Sequence, residues 1–348
     1  MVSDSTVDII LKAAVLAPSA DNSQPFKFSF EKDQSELSIW IDLSRSGGYS
    51  DQGGFLTYMA LGTAIKNIEY QAQFMGIKTT TEILTQIESE SPIAKIVLAP
   101  DSSSGEATLA PEIEARCTDR RFPYQKPAIE IPVERLNKIA EQSGCSIKWL
   151  NNSDKTLKNQ VIRLAQESEA LRFSEYEIHE ELMHSIDFNN HFNNQEGLPL
   201  KVLHLDPMGL LLIRWIRSWR VLNTLNKIKL NRVLGFFGAG LAMRLSPTLA
   251  LLSADSYQPK SLLQAGYALQ GVWLELTKAG LSAHPYASLG VLSSQHVTLR
   301  QNAKGQQDLR KEAFQITKPY HPIIILRIGS KKGSPNRTGR RPVLSFMK

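Results

Sequence analysis

The chain has 348 residues, of which 42% are hydrophobic and 21% charged, with a formal net charge of +6. That length suits one large domain or two ordinary ones with a sizeable core, and the composition excludes a disordered or fibrous chain. The modest positive charge permits anionic ligands such as phosphates, but no ribbon of interleaved aromatic and basic residues argues for nucleic acid. Two cysteines, Cys117 and Cys145, lack metal-ligand spacing and are too few for a disulfide framework, which fits a reducing cytoplasm. The polar, acidic Ser3-Asp4-Ser5-Thr6 is unlike a signal peptide. No uncharged apolar run reaches the ~18 residues of a spanning helix, so no integral membrane segment is expected.

In chain order, Asp8 to Leu16 reads as a helix stopped by Pro18. Ala17 to Phe28 is then a polar bend, with Pro18 and Pro25 limiting the backbone and Ser19, Asn22 and Gln24 offering hydroxyl and amide groups. Lys27–Phe30 and Leu37–Leu43 predict a hairpin. Phe55 to Phe74 is a helix bounded by Gly53-Gly54 and Gly76, whose Ala60, Gly62 and Ala64 allow close approach of another helix. Ile93–Leu98 reads as a strand, and the Ser- and Gly-rich Asp101–Ala107 as a linker. Val133–Gln142 is helical, Ile147–Leu150 strand-like, Thr156–His184 a long helical region, and the Asn-rich 189–200 a loop.

Met208 to Met243 is apolar and basic together, with Trp215 and Trp219 among Arg214, Arg217, Arg220, Lys227, Lys229 and Arg232. A cap helix packing its apolar face on the protein is favoured over a membrane-surface helix. Leu262–Leu276 is again helical, ended by Gly280, with His284–Gly290 a loop, Ile323–Ile328 a buried strand and 329–341 a basic tail.

A shift of 204 positions superposes Asp51 on Asp255, Gly62 on Gly266, Ala64 on Ala268 and Gly76 on Gly280. Pro92-Ile93 and Pro322-Ile323 then open a later strand in each case. Matched helices in matched order suggest a duplicated fold whose two central helices pack together.

Arg116-x-Thr118-x-Arg120 brings two guanidinium forks and a hydroxyl together, a donor set suited to phosphate oxygens. A second cluster is Arg337-Thr338-Gly339-Arg340-Arg341-Pro342. There is no G-x-S-x-G elbow and no H-E-x-x-H, and Gly235–Gly240 makes a poor dinucleotide fingerprint. His179 and His184, beside Glu180 and Glu181, read as a solvated helix face rather than a metal face, and no metal is expected. Cys117, inside the Arg cluster, is a candidate for a lowered thiol pKa, although packing is the favoured role.

These residues together resemble the FMN-dependent nitroreductase superfamily. Pro18-Ser19-x-x-Asn22-x-Gln24-Pro25-Phe26 is similar to its P-S-x-x-N-x-Q-P-W/F motif, Arg116-x-Thr118-x-Arg120 to its phosphate motif, and Arg340-x-Pro342 to its R-x-P. The segment from Asp255 through His284-Pro285-Tyr286-Ala287-Ser288-Leu289-Gly290 resembles the family's central helix and flavin-facing loop. The resemblance touches both ends and the middle, and covers 151–250 only loosely. It implies an α+β, nitroreductase-like fold in which two copies form an intrachain pseudo-dimer, central helices being flanked by antiparallel-rich sheets. The copies would be a shortened 1–108 and a second 109–348, with a helical lid over about 187–250. It further implies that Arg116, Thr118, Arg120 and Arg340 hold an FMN phosphate. Pro18, Ser19, Asn22 and Gln24 would meet the flavin or ribityl groups, and Pro285, Leu289 and Gly290 the ring edge.

The turn at 141–145 lacks the Pro and Asn of the first bend, and no Arg motif precedes the first helix. One FMN site per chain is therefore expected. The pattern resembles the internally duplicated, lid-bearing Acg-like branch, as a monomeric pseudo-dimer or a homodimer. Its activity would be hydride transfer between flavin and a small organic substrate, with NAD(P)H as a candidate donor that a lid could block. The alternative is an FMN storage protein with little turnover.

Overall fold

The computed structural model describes residues 2–84, 91–100, 109–151 and 153–348. Helix α1 (Asp4–Val15) starts earlier than expected because the Ser3 hydroxyl accepts from Thr6 N, an N-cap. The hairpin forms as β1 (Phe26–Glu31) and β2 (Glu36–Ile41), Phe26 facing Ile41. Asp51 then caps the next helix, accepting from the backbone amides of Leu56 at 2.7 Å and Thr57 at 3.1 Å. That helix, α2 (Phe55–Phe74), has the bounds its flanking glycines dictate, and Gly76 follows it at φ 70°. Strands β3 (Ile77–Ile83) and β4 (Ala94–Pro100) complete an antiparallel sheet of order β1-β2-β4-β3. The proposed linker 101–107 lies outside the described residues.

Short α3 (Ala110–Ala115) leads into the Arg116 segment, followed by α4 (Val133–Glu141) and β5 (Cys145–Leu150). The long helical region divides at Phe173-Ser174-Glu175 into α5 (Lys155–Arg172) and α6 (Tyr176–Ser185). The break is held by buried Glu175, whose carboxylate accepts from the amides of Arg300 and Gln301. Two-residue strands β6 (Ile186–Asp187) and β7 (Leu198–Pro199) pair at the base of the Asn-rich loop. The apolar, basic stretch folds as α7 (Pro207–Ile216), α8 (Trp219–Asn226), α9 (Leu230–Gly235), a π turn at Phe236–Gly240 and α10 (Leu241–Arg244). Met183, Ile216, Leu222 and Leu234 form a small core of its own beneath these helices. No helix among the described residues is long and apolar enough to cross a membrane.

Strand β8 (Thr248–Ala254) returns to the second sheet, and α11 (Pro259–Lys278) runs through the core, with Gly280 after it at φ 67°. The expected loop at 284–290 is instead β9 (Ser282–Tyr286) and α12 (Ser288–Ser293), joined at Ala287. Its apolar residues are what a sheet and core demand: Pro285 faces Leu326, and Leu289 is buried. Helix α13 (Ala303–Thr317) and the buried strand β10 (His321–Gly329) follow, giving sheet order β5-β8-β10-β9.

In chain order, both sheets place their first, second, fourth and third strands side by side. Between them α2 and α11, 20 residues each, cross at glycine. A Cβ on Gly62 would overlap the carbonyl oxygen of Leu263, and one on Gly266 that of Met59. Met59 and Leu263 are themselves 204 positions apart, so the crossing is reciprocal, as in a two-fold interface. The expected basic tail is a packed strap. Phe346 is fully buried against Phe26 and Phe28, with ring centroids 5.5 and 6.5 Å away, and Lys348 N donates to Phe28 O at 2.9 Å. Residues continuing from β10 thus end on β1 of the other sheet.

Candidate functional site

The bend after α1 is held in an unusual backbone state. Asp21, Asn22 and Gln24 lie in the left-handed region at φ 48°, 59° and 54°, which Asn and Asp tolerate best. Side chains stabilise it: the Ser19 hydroxyl accepts from Gln24 N at 2.9 Å, and fully buried Gln24 donates to Gln195 O at 2.8 Å. Arg341 N in turn donates to Gln24 Oε1. Gln24 is committed to holding the bend, the Asn-rich loop and the strap together.

Asn22 and Arg340 lock one another. Arg340 donates to Asn22 Oδ1 at 2.8 Å, and Asn22 Nδ2 donates to Gly339 O at 3.2 Å. The rest of the Arg340 guanidinium reaches the carbonyls of Val15, Leu16 and Ala17, the C-terminal end of α1, where a cation complements the helix dipole. Arg340 therefore fixes the bend to α1, with its hydrogen-bonding capacity turned inward.

Arg116 is different. It is buried at 8% exposure and stacks over the Trp273 ring 4.4 Å away. One terminal nitrogen donates to Leu16 O at 3.3 Å, and its Nε has no hydrogen-bond partner among the described residues. Its pKa is pulled down to about 9, first by burial and then by the guanidinium of Arg340, with Arg337 adding to it. Arg120 is also held below the usual guanidinium range, chiefly by burial, which Asp21 opposes. Thr118, beside the Ala283 backbone of β9, keeps its side-chain hydroxyl unbonded among the described residues. Arg337 joins the group by donating to the Glu114 and Ala115 carbonyls at the end of α3.

These groups line one cleft of about 90 Å³. Pro18, Ser19 and Asn22 form one wall, and Arg116, Thr118, Arg120 and Arg337 another. Among the described residues, the only carboxylate residue on the lining is Glu114, whose described bond there is through its backbone carbonyl. The cleft thus concentrates positive charge around the buried Arg116, with donors to spare, which suits an anion with several oxygens.

Pro285, Leu289 and Gly290 do not line this cleft. Gly290 sits where a Cβ would overlap the Ile323 carbonyl, so its lack of a side chain serves the packing of α12 on β10. Cys117 departs from expectation: burial pushes its thiol up, outweighing Arg116 and Arg337. His179 is buried rather than solvated. Its Nε2 meets Ile216 O at 2.7 Å, and its ring lies beside Trp219, tying α6 to the cap. No cluster of three or more metal-ligating side chains occurs among the described residues.

Sequence reasoning passed over Asp21 and its surroundings. Burial holds the Asp21 carboxyl above its usual range, against Arg172 and Arg120. Arg172 on α5 is paired to Glu169 at 3.0 Å, and Glu181 on α6 accepts from Ser50 N at 2.9 Å. These charges join the bend to α5 and α6 from more than a hundred residues away, so local sequence carries no signal of them.

No family model matches this chain. It is similar to an uncharacterized protein of Mycobacterium tuberculosis, with 21% identity over 340 residues, covering 93% of this chain and 45% of that protein. The chain thus spans a little under half the length of that curated relative. Among solved structures it is similar to an iodotyrosine deiodinase bound to FMN and 3-iodo-L-tyrosine, at 16% identity and a TM-score of 0.34 over 68% of this chain and 96% of that one. A nitroreductase with bound FMN from Bacteroides fragilis shows 13% identity and 0.34 over 67% and 94%. A nitroreductase-like protein from Bacillus cereus shows 13% and 0.36 over 71% and 98%.

Proposed function

We propose that the chain is an FMN-binding oxidoreductase whose cleft holds the flavin phosphate. The observation that carries this is the buried Arg116, with Nε unbonded and no ion pair among the described residues, in a cleft shared with Thr118, Arg120 and the Ser19 bend. Arg116, Arg120 and Thr118 would hold the phosphate, and Ser19, with its hydroxyl hydrogen still free to donate, would face the ribityl or ring end. Pro18 contributes an apolar edge to the same wall. Bound FMN supplies hydride transfer to a small organic substrate, with NAD(P)H as the candidate donor. Asn22, Gln24 and Arg340 act one step back, by fixing the bend.

The matching strand orders and the reciprocal glycine crossing support an internal duplication. On this reading residues 1–108 form one copy and 109–348 the other, with a lid at about 187–250, and the site lies between the copies as an intrachain pseudo-dimer. Pro285, Leu289 and Gly290, which lie outside the phosphate cleft, would then face the ring edge of the flavin from β9 and α12.

Arg116→Ala is expected to weaken FMN binding tenfold or more, a charge-assisted contact being worth about 1.5–3 kcal/mol. Fluorescence titration of free FMN into the unliganded protein measures this. Equal affinity in the variant would refute the assignment. A storage role is favoured by the way the strap and the base of the cap close on each other: Asn336 donates to Lys201 O at 2.9 Å and to the His204 ring at 3.3 Å. Anaerobic NAD(P)H that bleaches the flavin absorbance supports the oxidoreductase. Persistent colour with NADH, NADPH and dithionite-reduced nicotinamide analogues supports storage.

A further inference from the structure

The cap carries a feature that a cofactor site does not explain. Residues 207–254 contain seven Lys or Arg and neither Asp nor Glu, more positive charge than the +6 of the whole chain. The remainder of the protein is therefore slightly acidic, and the charge asymmetry is local. Arg214, Arg220, Lys227, Lys229 and Arg232 are all exposed, and none forms an ion pair among the described residues.

The same helices expose large apolar side chains. Half of the exposed large hydrophobic residues among those described fall between Leu205 and Leu245. On α7, Met208, Leu211 and Trp215 recur at helical spacing and are 75%, 49% and 64% exposed. A neighbouring side of α7 carries Ile216, buried in the small cap core. The helix thus has an apolar face for the protein and a second one facing outward. Ile228, 77% exposed, sits between Lys227 and Lys229 at the α8–α9 turn, and Phe237 is exposed on the π turn.

We infer that the outer face of the cap, α7 to α10, docks on the surface of an anionic lipid bilayer. Exposed Met, Leu, Ile, Trp and Phe flanked by unpaired cations are the pairing that interfacial helices use: the apolar groups enter the acyl boundary while Lys and Arg meet lipid phosphates. The charge decides against a second copy as occupant, because the face would meet its own unpaired cations. The docking is peripheral, since no described helix can cross a membrane.

The test is co-sedimentation of the purified protein with vesicles of phosphatidylcholine alone and of phosphatidylcholine with one-third phosphatidylglycerol. Binding is expected to be at least tenfold tighter on the anionic vesicles, with a blue shift of tryptophan emission, and weaker in about 0.5 M salt. Met208→Ser with Trp215→Ser and Ile228→Ser should reduce it tenfold or more. So should Arg214→Glu with Lys227→Glu and Lys229→Glu. Both sets lie on exposed positions, so melting temperature and FMN affinity should stay at the parent values, which separates this proposal from the cofactor reading. Protein left in the supernatant with anionic vesicles, or variants that bind like the parent, would overturn it. So would a dimer, seen by sedimentation equilibrium, that the serine variant dissolves while vesicle binding is absent.

Discussion

The two halves of the molecule share a scaffold and differ in what joins its parts. Each has a helix, two strands, a 20-residue central helix and two more strands, with the same sheet order. In the first half the helix-to-strand connection, Leu16 to Pro25, contains three non-glycine residues at positive φ and one wall of the cleft. Its counterpart after α4 is only Gln142-Ser143-Gly144, a turn that Gly144 makes at φ 69°. The first two strands of the first half are joined by a tight hairpin, while the corresponding β5–β8 connection holds α5 to α10. Symmetry is kept where the helices pack and lost in the connections, one of which forms a wall of the cleft.

The largest expected effect tests what is shared. Gly62→Ala and Gly266→Ala each push a Cβ into backbone of the opposite helix and should each cost about 3 kcal/mol or more in urea unfolding. If one is tolerated and the other is not, the crossing is not reciprocal. Asn22→Ala should come next, at about 2 kcal/mol, because it removes both its hydrogen bonds across the bend, the one it accepts from Arg340 and the one it donates to the Gly339 carbonyl. Ser143→Ala in the counterpart turn, losing one bond to Ile139 O, should cost under about 1 kcal/mol by the same measurement. Gly144→Ala meets only Gln264 Oε1 at 4.0 Å but keeps a positive φ, so about 1 kcal/mol of backbone strain is expected rather than a collision.

The smallest effect concerns Asp21. Its carboxyl is held above 3.8 by burial, so the folded state binds the proton more tightly than the unfolded chain does. Stability is therefore greatest below the unfolded value and is lost as pH rises through the folded value. Asp21→Asn removes that loss. It should raise the melting temperature by about 2 °C at neutral pH, with the gain vanishing near pH 4. A lower melting temperature at neutral pH would show that Arg120 and Arg172 outweigh burial.

Much of the scaffold was legible. Gly53-Gly54 and Gly76 bracket α2 without error, and Gly62 announced the close crossing. Strand β8 was not legible, since Leu249-Ala250-Leu251-Leu252 has no β-branched residue and only its place between β5 and β10 makes it a strand. Strand β3 could have been read from Thr79-Thr80-Thr81. At the site, spacing identified Arg116, Thr118 and Arg120 as a donor group. It could not show that Arg340 and Gln24 spend their polar atoms inside the fold, because those partners come from the α1 carbonyls and from Gln195. The strap was hidden for a similar reason: a single Phe346 docks a polar segment.

The account stands most directly on the number of flavins each chain holds. Equilibrium dialysis of the purified, unliganded protein against FMN should saturate at one FMN per chain, with Arg116→Ala needing tenfold or more free FMN to reach the same occupancy. Two FMN per chain would mean that the short Gln142–Gly144 connection has not removed the second site. No uptake at all would contradict the assignment of the Arg116 cleft to a flavin phosphate.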